Sequence, residues 1–216
     1  MVGDEAVMSD VTVPPLWFRL PPGFHTIGPD DRQALECMAD ALGSPAARVD
    51  IARLMGGLDG LQAHHVVHTS IGLHPDDALG VSTSFFSLTV RDAQHSNPAV
   101  AVAQTSLAVS RSALWSRATR RVIELPSALP CYLVAGLISP PGVDDQLFQA
   151  RAITADVQGR HVLILDLTSA AVGNGEAYAS ILEAVTYTIS FSDPDPDPDA
   201  TPPPLAGTSR ILEVLL

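Results

Sequence analysis

Residues 132–167 read YLVAGLISPPGVDDQLFQARAITADVQGRHVLILDL, three apolar runs separated by two turn sequences. The turns are Pro140-Pro141-Gly142 and Gln158-Gly159. Runs of this kind joined by glycine-containing turns are typical of consecutive antiparallel strands. The region therefore predicts three neighbouring strands of one sheet, at 132–138, 147–154 and 161–167.

The remaining predicted elements lie on both sides of this region. β-Branched and aromatic residues predict strands, and apolar residues spaced by three and four predict helices. The helices gather before and after the strands, which favours an α+β fold with a mostly antiparallel sheet of about six or seven strands packed with three or four helices. The further strands are expected at 16–20, 65–72, 82–90, 121–125 and 186–191, and the helices at 28–43, 44–61, 96–110 and 174–185.

The composition changes sharply after Ser192. Residues 193–199 read DPDPDPD, and their alternate prolines exclude helix and sheet pairing while the aspartates repel one another. An apolar hexapeptide, ILEVLL, ends the sequence. The expected organisation is a flexible N-terminus at 1–15, a single α+β domain at 16–192, an Asp/Pro-rich extended spacer at 193–210 and an apolar C-terminal segment at 211–216.

The apolar C-terminal segment is the predicted partner-binding element, because short β-prone ends favour pairing with sheet edges. It can return to its own domain, add a strand to a protein partner or to another subunit of a homo-oligomer, or remain undocked, and these alternatives stay open. The residues expected to contact a partner are Ile211, Leu212, Val214, Leu215 and Leu216.

Charge excludes several functions. The formal net charge is -12 and the sequence contains no lysine, so a Schiff-base lysine, a Walker-type lysine and a Ser-Lys pair are impossible. An acidic chain without a basic stripe is also a poor match to a nucleic-acid binder. The densest basic stretch favours a solvated helix end running into a strand over a phosphate site, and it comprises Arg111, Arg117, Arg120 and Arg121.

The expected location is the cytoplasm. Cys37 and Cys131 stand far apart in apolar settings, which predicts two buried core thiols and no disulfide. The opening MVGDE has neither the basic nor the apolar region of a secretory signal. No apolar run approaches the length that crosses a bilayer, so membrane insertion is not expected.

Histidines provide the candidate metal ligands. His64 and His68 have the i, i+4 spacing that places two imidazoles on one helical face, and His74 with Asp76 or Asp77 could complete a site. A metal-dependent hydrolase is therefore the alternative function. If residues 65–72 form a strand, that spacing is lost and ordinary histidines are favoured.

Other chemical signals are weaker, and no catalytic residue or cofactor is predicted. Gly173-Asn174-Gly175 precedes a helix, where Asn174 as N-cap explains the pattern. Asp166 is the one acidic residue in an apolar strand, and a solvent-facing or hydrogen-bonded aspartate is favoured over a catalytic acid. These observations favour a non-enzymatic protein-binding or adaptor module.

Three stretches carry a resemblance to known proteins: Trp17-Phe18-Arg19-Leu20-Pro21-Pro22-Gly23-Phe24, Gly72-Leu73-His74-Pro75 and residues 162–191. With them the chain resembles an uncharacterised family of cytoplasmic actinobacterial proteins. The WFRLPPGF opening and the closing segment also resemble PsbP-like α/β/α sandwiches, some of which are lipoproteins, although this chain shows no lipobox. The resemblance implies a sandwich fold and does not indicate which activity the protein has.

Overall fold

The computed structural model describes residues 15–41, 56–57, 59–61, 64–76, 80–140 and 145–192. Several predictions concern residues outside these ranges. They are the flexible N-terminus before residue 15, most of the helix expected at 44–61, the spacer at 193–210 and the apolar C-terminal segment at 211–216.

One antiparallel sheet of seven strands organises the described residues. The strands are β1 (Phe24–Thr26), β2 (Val66–Asp76), β3 (Gly80–Asp92), β4 (Trp115–Val122), β5 (Tyr132–Ile138), β6 (Leu147–Ala155) and β7 (His161–Ser169). Their order across the sheet is β1-β2-β3-β7-β6-β5-β4, and every neighbouring pair is antiparallel. The two hairpins β2–β3 and β5–β6 therefore both lie beside β7 through one of their strands.

Helices cover both faces of the sheet. They are α1 (Arg32–Ala41), α2 (Pro98–Ser110) and α3 (Gly175–Tyr187), with short 3-10 turns at Pro29–Asp31 and Val172–Asn174. α2 packs mainly on β5 and β6, whereas α3 packs on β6 and β7 from the other side. Within the described ranges, no helix has the length and apolar character needed to cross a membrane.

Strand alternation divides the apolar side chains into two clusters. On β7, Leu163, Leu165 and Leu167 are fully buried in the cluster beneath α3, while Val162 and Ile164 belong to the cluster beneath α2. Successive side chains of a strand point to opposite faces, so one strand contributes to both cores. Tyr178, Leu182 and Val185 complete the first cluster from α3, and Ala101 and Val102 complete the second from α2.

The predicted fold class is confirmed. The hairpin expected at 65–72 and 82–90 corresponds to β2 and β3, and the three strands expected between 132 and 167 correspond to β5, β6 and β7. The helices expected near 28–43, 96–110 and 174–185 correspond to α1, α2 and α3.

The terminal strands expected at 16–20 and 186–191 are wrong. These two segments meet in a single antiparallel bridge, in which Trp17 and Ser190 each donate a backbone N–H to the other's carbonyl at 2.9 Å. α3 extends to Tyr187 because its apolar spacing continues to the fully buried Val185 and Thr186. The first strand is instead β1, immediately after the turn at 21–23.

Two further predictions need correction. The strand expected at 121–125 occupies residues 115–122 instead. All residues of its sequence WSRATRRV except the first are exposed, so the sequence shows no alternation of apolar and polar residues. Cys37 is exposed on α1, so only Cys131 is a buried core thiol. Burial raises the pKa of Cys131 to about 12, which keeps this thiol protonated and unreactive.

Gly136 on β5 allows an unusually close approach of β4. A Cβ at this position would lie 1.8 Å from the carbonyl oxygen of Arg117. We expect Gly136→Ala to lower the free energy of unfolding by about 1–3 kcal/mol, because backbone must move to relieve the overlap. Urea denaturation measures this. Gly173→Ala is the matched control, since a Cβ there meets nothing within 4 Å; equal stability losses in the two variants would contradict the assignment.

Candidate ligand-binding cleft

A cleft of about 670 Å³ lies between α2 and the sheet. α2 covers β5 and β6, and the neighbouring strip of β3 and β7 on the same face forms the floor of the cleft. Ala101, Ala108 and Val109 form the α2 wall, while Leu61 and His64 lie on another side. The cleft has the size of small-molecule sites, which commonly span several hundred Å³.

The floor of the cleft contains polar side chains beside the apolar Val162 and Ile164. Ser87 and Thr89 of β3 line it, and both are only 7% exposed. Their hydroxyls make no side-chain hydrogen bond with any other described residue. Because both residues line the cleft, their hydroxyls can bond to a ligand or to water there.

An ion pair crosses the floor. Arg151 on β6 and Asp166 on β7 are register partners, and the Nε of Arg151 donates to Oδ1 of Asp166. The side chains are 24% and 13% exposed, respectively. Burial raises the pKa of Asp166, while the charges of Arg151 and Arg91 oppose that rise. Among the described residues, the second carboxylate oxygen and the terminal guanidinium nitrogens form no hydrogen bond, so they can bind polar groups of a ligand.

The polar strip continues along the same face beyond the cleft. Gln149 lies two residues before Arg151 on β6, and its Nε2 donates to the Thr168 hydroxyl at 3.1 Å. Its Oε1 is buried and is the sole such side-chain atom without a hydrogen-bond partner among the residues described. On this face the β6–β7 ladder thus has two polar pairs in succession, Gln149–Thr168 and Arg151–Asp166, and Ser87 of β3 pairs with Asp166.

The three candidate histidine ligands do not come together. His64 lines the cleft on the α2 face, whereas His68 and His74 follow the strand alternation of β2 to the α3 face. His68 Nε2 lies 2.7 Å from the Ser70 hydroxyl, and His74 Nε2 lies 2.7 Å from that of Ser84. Within the described ranges, no group of three His, Cys, Asp or Glu side chains could hold a metal ion.

His68 and His74 are instead part of an aromatic cluster on the α3 face. His68 packs edge-on against Phe18 at 5.1 Å between ring centroids, and His74 packs against Phe24 and Tyr178 at 5.3 Å each. Burial lowers the pKa of both histidines. Through Phe18, the segment that precedes β1 packs against the neutral imidazole of His68 on the sheet.

Asp166 is the functional candidate that the sequence revealed only in part. Its partner Arg151 and the neighbouring Ser87 come from strands far apart in sequence, and only the register brings the three together. Asn174 stands at the N-cap of α3, as predicted. Gly175 is required there for packing, because a Cβ would lie 2.6 Å from the Phe148 ring.

Comparison with known proteins identifies similar folds without assigning a family. No family model and no curated protein matches the chain. It is similar to LpqN of Mycobacterium tuberculosis, a protein involved in cell envelope biogenesis, with a TM-score of 0.47 and 11% identity over 85% of this chain and 86% of that one. It is also similar to a Pseudomonas aeruginosa protein of unknown function, PA94, with a TM-score of 0.42 and 15% identity over 59% of this chain and 83% of that one.

The aromatic cluster predicts an acid-sensitive fold. The folded-state pKa values of His68 and His74 lie below the value of about 6.5 found in unfolded chains. Protonation therefore favours the unfolded state, and the free energy of unfolding falls as pH drops below about 6.5. We expect His68→Gln to flatten this dependence between pH 7 and 5, measured by urea denaturation. His95→Gln, at an exposed position, is the control; a wild-type slope in His68→Gln would refute the role of His68.

Proposed function

We propose that the protein is a non-enzymatic binding module that holds a small polar ligand in the cleft between α2 and the sheet. The observation that carries this proposal is the cleft floor, where the Arg151–Asp166 pair lies beside the hydroxyls of Ser87 and Thr89, neither of which bonds to another described side chain. A buried ion pair adds little net stability, because desolvation offsets its attraction. Ligand recognition gives these polar groups a role that packing alone does not.

The charges around the cleft indicate the chemistry of the ligand. Arg91 and Arg151 are balanced by Asp92 and Asp166, all of which line the cleft. A multiply charged anion such as a nucleotide phosphate would meet two carboxylates and is disfavoured. A zwitterion or an uncharged polar molecule can pair its carboxylate or carbonyl with guanidinium and its N–H groups with carboxylate. Free amino acids and short peptides have this chemistry.

The geometry of the cleft supports binding over catalysis. Asp166 is bonded to Arg151, and in the described part of the cleft neither a histidine nor a carboxylate hydrogen-bonds to Ser87 as a general base would. The metal-dependent hydrolase remains the alternative function, yet its ligands His64 and His68 lie on opposite faces of the sheet. We therefore favour the binding module.

We propose that a second interaction element follows the domain. In this organisation residues 16–192 form the α+β domain, 193–210 are the spacer, and the apolar C-terminal segment docks on a protein partner or another subunit through Ile211, Leu212, Val214, Leu215 and Leu216. The apolar composition of this segment supports an adaptor role for the tail.

The remaining assignments are part of the same proposal. Helices on both faces of an antiparallel sheet support the PsbP-like α/β/α sandwich and membership of an uncharacterised actinobacterial family. The thiols of Cys37 and Cys131 are both free, which supports a reducing, cytoplasmic location.

A retained ligand or a stabilising amino acid tests the cleft. We expect native mass spectrometry of the purified protein to show a bound small polar molecule, or a panel of free amino acids and dipeptides to raise the melting temperature. A ligand at 100 times its Kd stabilises by about 2.7 kcal/mol. Thr89→Val, which removes one hydroxyl from the cleft floor at nearly constant volume, should weaken binding by about tenfold. Thr119→Val, on exposed β4, should not. Absence of both retained and stabilising molecules would contradict the proposal.

Truncation tests the tail. We expect a chain ending at Ser192 to remain folded with a cooperative urea transition, because it retains the Trp17–Ser190 bridge. It should lose a self-association seen by light scattering, or a protein captured from source-cell lysate that a synthetic peptide of residues 205–216 displaces. The full chain with Leu212→Asp and Leu215→Asp is the matched control of unchanged length and should behave as the truncated chain. Identical mass and captured proteins in all three would exclude a partner-binding tail.

A further inference from the structure

β4 forms one edge of the sheet and is exposed along its length. The strand order ends at β4, which pairs with β5 on one side. Every residue from Ser116 to Val122 is exposed, and Val122 is 60% exposed. The opposite edge strand, β1, has three residues against the eight of β4. β4 is thus the long edge, and long edges are usually covered because they template unwanted pairing.

The register identifies the backbone groups that β4 presents outward. Ile123 donates its N–H to the Cys131 carbonyl at 3.0 Å, one step beyond the Val122–Tyr132 pair. Hydrogen-bonded and non-bonded pairs alternate in an antiparallel ladder, so residues 117, 119 and 121 bond to β5. The N–H and C=O groups of Ala118, Arg120 and Val122 therefore point away from the sheet. No other described strand pairs with them.

The side chains of this edge are basic. Arg121 binds Glu183 of α3 at 2.9 Å, and Arg120 lies over the Tyr132 ring at 5.0 Å. Arg117 makes no ion pair with any described residue. Pairing here is favoured for a strand that has β-prone apolar residues together with negative charge, which can compensate Arg117.

The C-terminal tail has this composition. Residues 193–216 contain four aspartates, one glutamate and one arginine, and they end in ILEVLL. Glu213 lies in the middle of the apolar C-terminal segment, so in a strand paired with β4 it would lie near the arginines of that edge. Valine, isoleucine and leucine at the other positions suit a strand with one face against apolar residues such as Val122.

The spacer is long enough to reach β4. Between Ser192 and Ile211 lie residues 193–210, which span roughly 55 Å at about 3.1 Å per residue if they are extended. The radius of gyration of a domain of the length of residues 16–192 is roughly 16 Å. A tether of this length also gives the segment a local concentration far above that of a second copy in dilute solution.

We propose that the apolar C-terminal segment pairs with the outer edge of β4 in its own chain and forms an eighth strand of the sheet. The proposal rests on the tail being an interaction element, as proposed above, and adds where the segment lies before a partner takes it. Partner docking then competes with the β4 edge, so the edge regulates access to the tail.

Amide hydrogen exchange on the full chain, followed residue by residue by NMR, tests this pairing. We expect the N–H groups of Ala118, Arg120 and Val122 to exchange at least tenfold faster in the full chain carrying Glu213→Pro and Val214→Pro than in the wild type. The two prolines remove neighbouring N–H groups, so the outcome does not depend on which of them faces β4. Thr208→Pro with Ser209→Pro in the spacer is the matched control and should exchange as the wild type does.

Two results would overturn the proposal. One is equal exchange of these three amides in the wild type and in the Glu213→Pro, Val214→Pro chain. The other is protection that increases between about 10 and 100 μM protein, since an intramolecular strand is independent of concentration and a strand from a second copy is not. Because this measurement uses the purified chain alone, its failure leaves partner capture by the tail as a separate result.

Discussion

The pairing of β7 with β3 on one side and β6 on the other is the constraint on which the rest of the structure depends. β7 is central, and its leucines at 163, 165 and 167 are fully buried beneath α3. A one-residue slip in either ladder would exchange this row for the row containing Asp166. The register that buries the leucines is therefore the same register that sets Asp166 beside Arg151 and Ser87. Core and candidate site are consequences of one alignment.

The cleft exists because α2 covers only part of its face of the sheet. α2 has 13 residues and packs mainly on β5 and β6, and on β7 it covers Val162 and Ile164. The strip beside these two residues carries Ser87, Thr89 and the Arg151–Asp166 pair. Once a charge is buried, removing its partner is costly, by about 3–5 kcal/mol for fully desolvated pairs and less for this partly exposed one. The pair is thus maintained as a unit, with both chemical signs offered to the cleft.

The sequence predicted what depends on local pattern and failed where distant residues decide. Strands β5 to β7 were evident because their apolar runs and glycine turns are local signals. β4 was misplaced because Arg117, Arg120 and Arg121 conceal any alternation, and only pairing with β5 makes the segment a strand. The histidine cluster was separated by strand alternation, which sends His68 and His74 away from His64. Asp166 was noticed as an odd acid, but Arg151 could not be paired with it without the register.

The two edges of the sheet are protected by different physical means. At one edge, Phe18 and Phe24 pack on the aromatic cluster, and the Trp17–Ser190 bridge fastens the segment before β1 to the end of α3. At the other edge, arginines stand where a second strand would have to pack, and two copies of β4 placed side by side would bring like charges together. The arginines of β4 thus disfavour pairing with a second copy of β4 or with a neutral strand, and they favour pairing with an acidic strand. On a chain with net charge -12, acidic segments are abundant, so selectivity must come from apolar residues beside the acid. The sequence LEVLL, residues 212–216, combines one acidic residue with apolar neighbours. The arginines of β4 and the composition of the tail are therefore complementary.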